Sequence, residues 1–269
     1  MEMMEPVMLP DLALEKTHPC WYCEEEPRSE LTNKEVEDPA SPTGPFAGPE
    51  NSETNDASIL GTNLGVRPVW SIKHKVDSED PIADGAETNI VPAAHHLLPG
   101  NASVGKANLI HKYMLWNGVN TLGLSGQIGY NINCAENGVW LPGNYAVRKE
   151  TDYKKNFSQF KEPFKDAYAK AAMENAGDLQ LHDAHKAYNG NVLDTLQNVA
   201  KKLDAEWKDH SGCPLCKKKL ENKNKPPYGL VGRLNRLSEE HKKALIHPEM
   251  NKKAIASGYY TSSRVIGVY

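Results

Sequence analysis

The sequence predicts an α+β chain, mainly helical, with an irregular N-terminal segment, and three observations carry that prediction. From Asn191 to Lys208 the residues Val192, Leu193, Leu196, Val199, Ala200, Leu203 and Trp207 recur at the period of an amphipathic helix. Extended apolar pieces elsewhere are short and bounded by Gly, Asn and Pro, which suits small sheets rather than a large one. From Asp38 to Asn55 the chain is Pro, Gly, Ser, Thr, Asn and Glu, with too little apolar surface to offset the entropy of ordering it.

Taken in chain order, residues 1–37 are acidic and contain His18-Pro19-Cys20-Trp21-Tyr22-Cys23. The Pro-rich run after them reads as a linker. Asn63 to Val76, with Leu64, Val66, Val69, Trp70 and Ile72, alternates as an extended stretch does. The apolar run Ile90 to Pro99 encloses His95-His96, and a helix is expected near Ala107 to Trp116. The Gly- and Asn-rich segment that follows has extended pieces at Ile128–Ile132 and Gly138–Leu141. Tyr153 to Asn175 spaces Phe157, Phe160, Phe164, Tyr168 and Ala172 near the helical period, with Pro163 expected to kink or divide it. Shorter helices are expected around Ser238–Ile246 and Pro248–Ala256, and β-branched and aromatic residues from Tyr259 to Tyr269 read as a closing strand. This gives three parts: an acidic, Pro-rich segment at 1–60, a central domain at 61–210 with a helical insertion near 150–176, and a basic C-terminal extension at 211–269.

The net charge of −4 hides a split. Residues 1–146 hold 8 Lys/Arg against 20 Asp/Glu, a balance of −12, whereas residues 147–269 hold 23 against 15, a balance of +8. A basic half can attract a polyanion, and Lys186, Lys201 and Lys202 are candidates for nucleic-acid contact, although most such lysines are solvated helix faces. No apolar run is long enough to span a membrane. The first residues mix Glu2, Glu5 and Asp11 with apolar side chains, unlike a secretory signal, so synthesis in a cytoplasm is expected.

Chemistry concentrates in three strings. Adjacent imidazoles on an extended backbone, as at Ala94-His95-His96, point to opposite sides and can take different tasks, one binding a metal and the other removing a proton from water. Asn137-Gly138-Val139-Trp140-Leu141-Pro142 offers a turn asparagine followed by an apolar strand. Leu181-His182-Asp183-Ala184-His185 spaces two imidazoles three apart, which on a helix puts both on one face. Alone, a His-His pair beside apolar residues is more often structural than functional. His111 reads as a packed or surface residue.

In this order, Ala94-His95-His96-Leu97-Leu98-Pro99, Asn133-Cys134-Ala135-Glu136-Asn137-Gly138-Val139-Trp140-Leu141-Pro142 and His182-x-x-His185-x-x-Tyr188-Asn189 resemble the AHH nucleases of the HNH/endonuclease VII superfamily, over about residues 88–200. The family comprises toxin domains of bacterial polymorphic-toxin and secretion-system effectors. The resemblance implies a ββα-metal (HNH-like) core, two strands and a helix around one divalent ion, Mg²⁺ or Zn²⁺. It makes His95 a metal ligand, His96 the general base, Asn137 the residue that holds the base or its loop, and His182 and His185 the rest of the metal site. It further implies hydrolysis of DNA, with RNA as the second candidate substrate. Delivery by a contractile (type VI) secretion apparatus, action in a target-cell cytoplasm and a cognate immunity protein also follow from it.

Four of the five cysteines form Cys20-x-x-Cys23 and Cys213-x-x-Cys216, the pairs a structural zinc uses, and a shared ion would clip the N-terminal segment onto the C-terminal part. A redox pair, a disulfide formed after export and unpaired thiols are the alternatives; Cys134 reads as a small buried or turn residue. Pro19-Cys20-x-x-Cys23 also looks like part of a zinc deaminase motif, but His247-Pro248-Glu249 lies downstream of it, the wrong order for that chemistry. Two other readings remain open: a non-catalytic zinc-stabilised adaptor protein, and a nuclease of repair or restriction.

Overall fold

The computed structural model describes residues 55–72, 88–114, 130–144, 161–208, 227, 229–247 and 259–264. Both Cys-x-x-Cys pairs, the Pro-rich run at 38–54 and the helix expected at Pro248–Ala256 lie outside these residues. Among the described residues, helices and two small antiparallel sheets make up the fold, which is of the α+β class. In order they are α1 (Ala57–Leu64), β1 (Trp70–Ile72), β2 (Thr88–Ile90), β3 (Pro92–His96), α2 (Asn108–Met114), β4 (Gly138–Pro142), α3 (Glu162–Asn175), α4 (Lys186–Lys208) and α5 (Gly229–Ile246).

Strand β3 pairs antiparallel with β4, in register from Pro92 opposite Pro142 to His96 opposite Gly138, and β1 pairs with β2. Helix α1 lies on the β3–β4 hairpin. The side chain of Asp56 caps it, its Oδ1 accepting from the Ser58 and Ile59 N–H groups at 2.7 and 3.0 Å, which satisfies donors that have no partner within the helix. Gly65, at φ +77°, ends it. The close approach depends on Gly138, where a Cβ would stand 2.6 Å from Leu60 Cδ1. The stretch read as extended from Asn63 onward is thus the end of a helix, a turn and then β1.

Pro163 occupies the first turn of α3, where its missing N–H costs nothing, and the part of the expected helix before Lys161 lies outside the described residues. The expected strand at Ile128–Ile132 does not form over its described part: Tyr130 and Asn131 join no strand and Ile132 enters a turn. Asn131 Oδ1 accepts the Asn133 N–H there at 2.9 Å, the local bond that favours a turn over a ladder. Tyr259–Arg264 is likewise irregular, because its polar groups are taken up one at a time. Thr261 N donates to Gln180 Oε1 at 2.8 Å, Thr261 Oγ1 to the Leu181 carbonyl at 2.8 Å, and Asp183 N to the Thr261 carbonyl at 3.2 Å.

One buried cluster joins Leu97 and Leu98 beyond β3 to Ile110 of α2, Leu141 of β4, Val192 and Leu196 of α4, and Leu230 and Leu245 of α5. A second packs Ile72 and Ile90 against Phe164, Tyr168 and Met173 of α3. Within the helical pattern read from Asn191 to Lys208, Val192, Leu196, Val199, Ala200 and Leu203 are buried along α4, which begins five residues earlier at Lys186. No helix among the described residues is long and apolar enough to cross a membrane.

Candidate metal centre and catalytic cleft

Beyond β4, Gly143 forms a parallel bridge with His182, and the His182 N–H donates to the Pro142 carbonyl at 2.7 Å. The loop entering α4 is thereby fastened to the hairpin, with Asp183 held from the other side by Thr261. His182 and His185 precede the helix, so a folded loop, not a shared helical face, brings them together. The His95 ring lies 5.1 Å from that of His182 and 5.2 Å from that of His185, centroid to centroid. One nitrogen from each of the three comes within 4.8 Å of the others.

His95 is 1% exposed, and its buried Nε2 has no hydrogen-bond partner. An orphaned ring nitrogen costs free energy unless something binds it, and two further imidazole nitrogens converge on the same spot. The donor set therefore fits one divalent ion with coordination positions left open. Burial, and then the neighbouring imidazoles, hold His95 well below the usual histidine range, and burial brings His182 down to about 3. Both are thus in the neutral form that a metal requires. His185 Nδ1 bonds Asn189 Oδ1 at 2.9 Å; since the amide oxygen only accepts, Nδ1 carries the proton and Nε2 is left as the donor to an ion.

His96 faces a different neighbour. Its Nε2 lies 2.8 Å from Asn133 Oδ1, and that same oxygen accepts the Asp56 backbone N–H at 3.1 Å. The amide N–H contact identifies the Asn133 atom as oxygen, so His96 carries its proton on Nε2 and keeps a lone pair on Nδ1. Asn133 is itself braced: its carbonyl accepts Asn63 Nδ2 at 2.7 Å. Burial lowers the His96 pKa, with the Asn133 bond and nearby Asp56 opposing.

Asn137 does not reach the imidazole. Fully buried, it accepts from Leu98 N at 2.8 Å and Ser238 Oγ at 3.0 Å, and donates to the carbonyls of Leu98 at 3.1 Å and Ile132 at 2.8 Å. It fixes the chain two residues beyond His96 and holds α5 against it. Cys134 is half-buried and free, its thiol pushed up to about 12 by burial. His111 bonds the Val104 carbonyl. Lys186, Lys201 and Lys202 are exposed and lie outside the cleft wall.

Asn133 and His241 are the residues that sequence reasoning missed. Asn133 lies inside the quoted motif, but its partner is 37 positions upstream and no spacing singles it out. His241 of α5 is buried between Tyr188 and Tyr259, its ring centroid 5.8 and 5.5 Å from theirs, with neither nitrogen hydrogen-bonded.

His95, His96, His182 and His185 all open onto one cleft of about 750 Å³, walled by α1, β3 and Trp140. No curated protein and no solved structure matches the chain significantly. Residues 81–212, which carry the histidine cluster and the Asn133–Asn137 loop, do match a family, described as a nuclease family of the HNH/ENDO VII superfamily with conserved AHH. On that match residues 81–212 belong to the AHH family of nucleases.

Proposed function

We propose that the protein is a metal-dependent endonuclease that hydrolyses phosphodiester bonds in DNA, with RNA as the second candidate substrate, and that it acts as an antibacterial toxin. The observation that carries this reading is the His96 lone pair, fixed by Asn133, beside three converging imidazoles in one cleft. In this reading β3, β4 and α4 are the two strands and helix of a ββα-metal core.

His96 Nδ1 accepts a proton from a water, which attacks the phosphorus as the bond to the 3′ oxygen breaks. Asn133 takes the Nε2 proton in a hydrogen bond and so leaves Nδ1 as the accepting nitrogen. His95, His182 and His185 would hold the divalent ion, whose chemistry is to stabilise charge on the phosphodiester and on the leaving oxygen. Asn137 positions the loop beyond the base. The adaptor alternative leaves the orphaned His95 nitrogen unexplained and rests on cysteines outside the described residues.

Plasmid cleavage by purified protein with Mg²⁺, with EDTA and with His96→Ala tests the chemistry. Cleavage that needs both metal and His96 is expected. Intact DNA and RNA across several divalent ions would overturn it. Expression in a bacterial cytoplasm tests the toxin role: the wild type should kill and His96→Ala should not. An acidic immunity protein covering the basic C-terminal half is the expected inhibitor.

A further inference from the structure

The cleft wall facing the histidines is not made by the matched family segment. It comes from α1 and the turn after it, residues upstream of position 81. Gly65 sends the chain out of α1 into Val66-Arg67-Pro68-Val69, where Val66 and Val69 are 93% and 92% exposed. Between those valines, exposed Arg67 turns back to the cleft, its Nη2 donating to the Pro92 carbonyl at 3.2 Å.

That single bond uses one of five guanidinium donors. Among the described residues, those lining the cleft include no Asp or Glu, and Arg67 is their one fixed positive charge. An arginine at the mouth of this lining suits an anionic ligand. Position then narrows the ligand. Pro92 and His95 are three residues apart on β3, about 10 Å at strand rise. Two such positions along one strand suit a ligand that carries more than one negative group along its length.

We infer that Arg67 binds a backbone phosphate flanking the scissile one, so that the segment upstream of the family module forms part of the substrate-binding surface. This rests on the nuclease reading above. Arg67 is a binding residue, and its loss falls on substrate affinity more than on turnover.

The test uses the full chain carrying His96→Ala, with and without Arg67→Ala or Arg67→Lys, and a labelled duplex DNA titrated over a series of salt concentrations. If Arg67 neutralises one phosphate, Arg67→Ala makes the slope of log affinity against log salt shallower by about 0.9, while Arg67→Lys keeps the slope. In the active protein Arg67→Ala should then raise KM several-fold, with a smaller effect on kcat. An unchanged slope and affinity in a background that binds DNA would overturn the inference while leaving the nuclease reading intact. A fall in kcat at constant KM would overturn the flanking-phosphate assignment. If the wild type cleaves neither DNA nor RNA and the His96→Ala protein binds neither, the nuclease reading fails and takes this inference with it. Equal melting temperatures of the Arg67 variants and their parents confirm that folding is not what changed.

Discussion

Replacing Asn137 with alanine separates a structural clamp from a catalytic group. The side chain satisfies four buried partners: Leu98 N–H, the Ser238 hydroxyl and the carbonyls of Leu98 and Ile132. Alanine removes the Asn137 partner from all of them in a place with no room for bulk water. A buried polar group left unsatisfied costs about 1–3 kcal/mol, and the Ser238 hydroxyl can rotate to recover part of its share. The expected loss is therefore about 3–9 kcal/mol, a large fraction of the roughly 5–15 kcal/mol that holds a typical domain folded. In urea the midpoint should fall by about 2 M at an unchanged slope. Activity measured well below the new midpoint should recover most of the wild-type rate, because Asn137 touches neither the base nor the three-histidine cluster. An unchanged midpoint with abolished cleavage would refute this reasoning and place Asn137 in the chemistry itself.

Three further outcomes are expected. Asn133→Ala should lower kcat by about 10–100-fold, whereas Asn133→Asp, which still accepts from His96 Nε2 and from the Asp56 N–H, should recover part of it; equal losses in the two would mean that Asn133 does not orient the base. Adding Ni²⁺, an ion suited to imidazole, at about 100 times its Kd should stabilise metal-free protein by about 2.7 kcal/mol. His182→Ala should abolish that thermal shift, and a shift that survives would place the ion elsewhere. His241, held near 3 by burial against Tyr188 and Tyr259, is unprotonated in the folded chain where the unfolded chain, near 6.5, already binds a proton. Its contribution to stability is therefore present above pH 6.5 and is lost as pH falls toward 3. His241→Phe should flatten that part of the urea-midpoint profile and, by removing two unsatisfied nitrogens, raise the midpoint at pH 7. A profile unchanged by the substitution would exclude His241 as a source of acid lability.

What could be read from the sequence follows from which interactions are local. Helix α4 was legible because Val192, Leu196, Val199 and Leu203 fall on one face whatever the rest of the chain does. Strand β3 was legible because an apolar run bounded by Pro99-Gly100 leaves few alternatives to an extended backbone. Helix α1 was not, although Asp56 is an ordinary capping residue with Leu60 and Leu64 four apart behind it. The Pro- and Gly-rich composition before it and the alternation after it hid that short signal. The meeting of His182 and His185 came out at the expected residues by an unexpected route. The Gly143–His182 bridge, a contact across 39 positions that no helical spacing encodes, sets the loop.

The asparagines show where reading by type alone stops. Asn131, Asn133 and Asn137 stand in one loop, and each offers the same amide. What assigns them is which distant group arrives. Asn137 meets α5 and the chain beyond β3, and becomes a clamp. Asn133 meets His96 and the first residue before α1, and so decides which imidazole nitrogen is free. Because that brace comes from Asp56 and Asn63, upstream of the matched family residues, the base chemistry proposed for His96 would depend on a helix outside the matched segment. Loss of α1 should then remove both the bonds that brace Asn133 against His96 and the wall that carries Arg67, while the Gly143–His182 bridge still fastens the loop of His182 and His185.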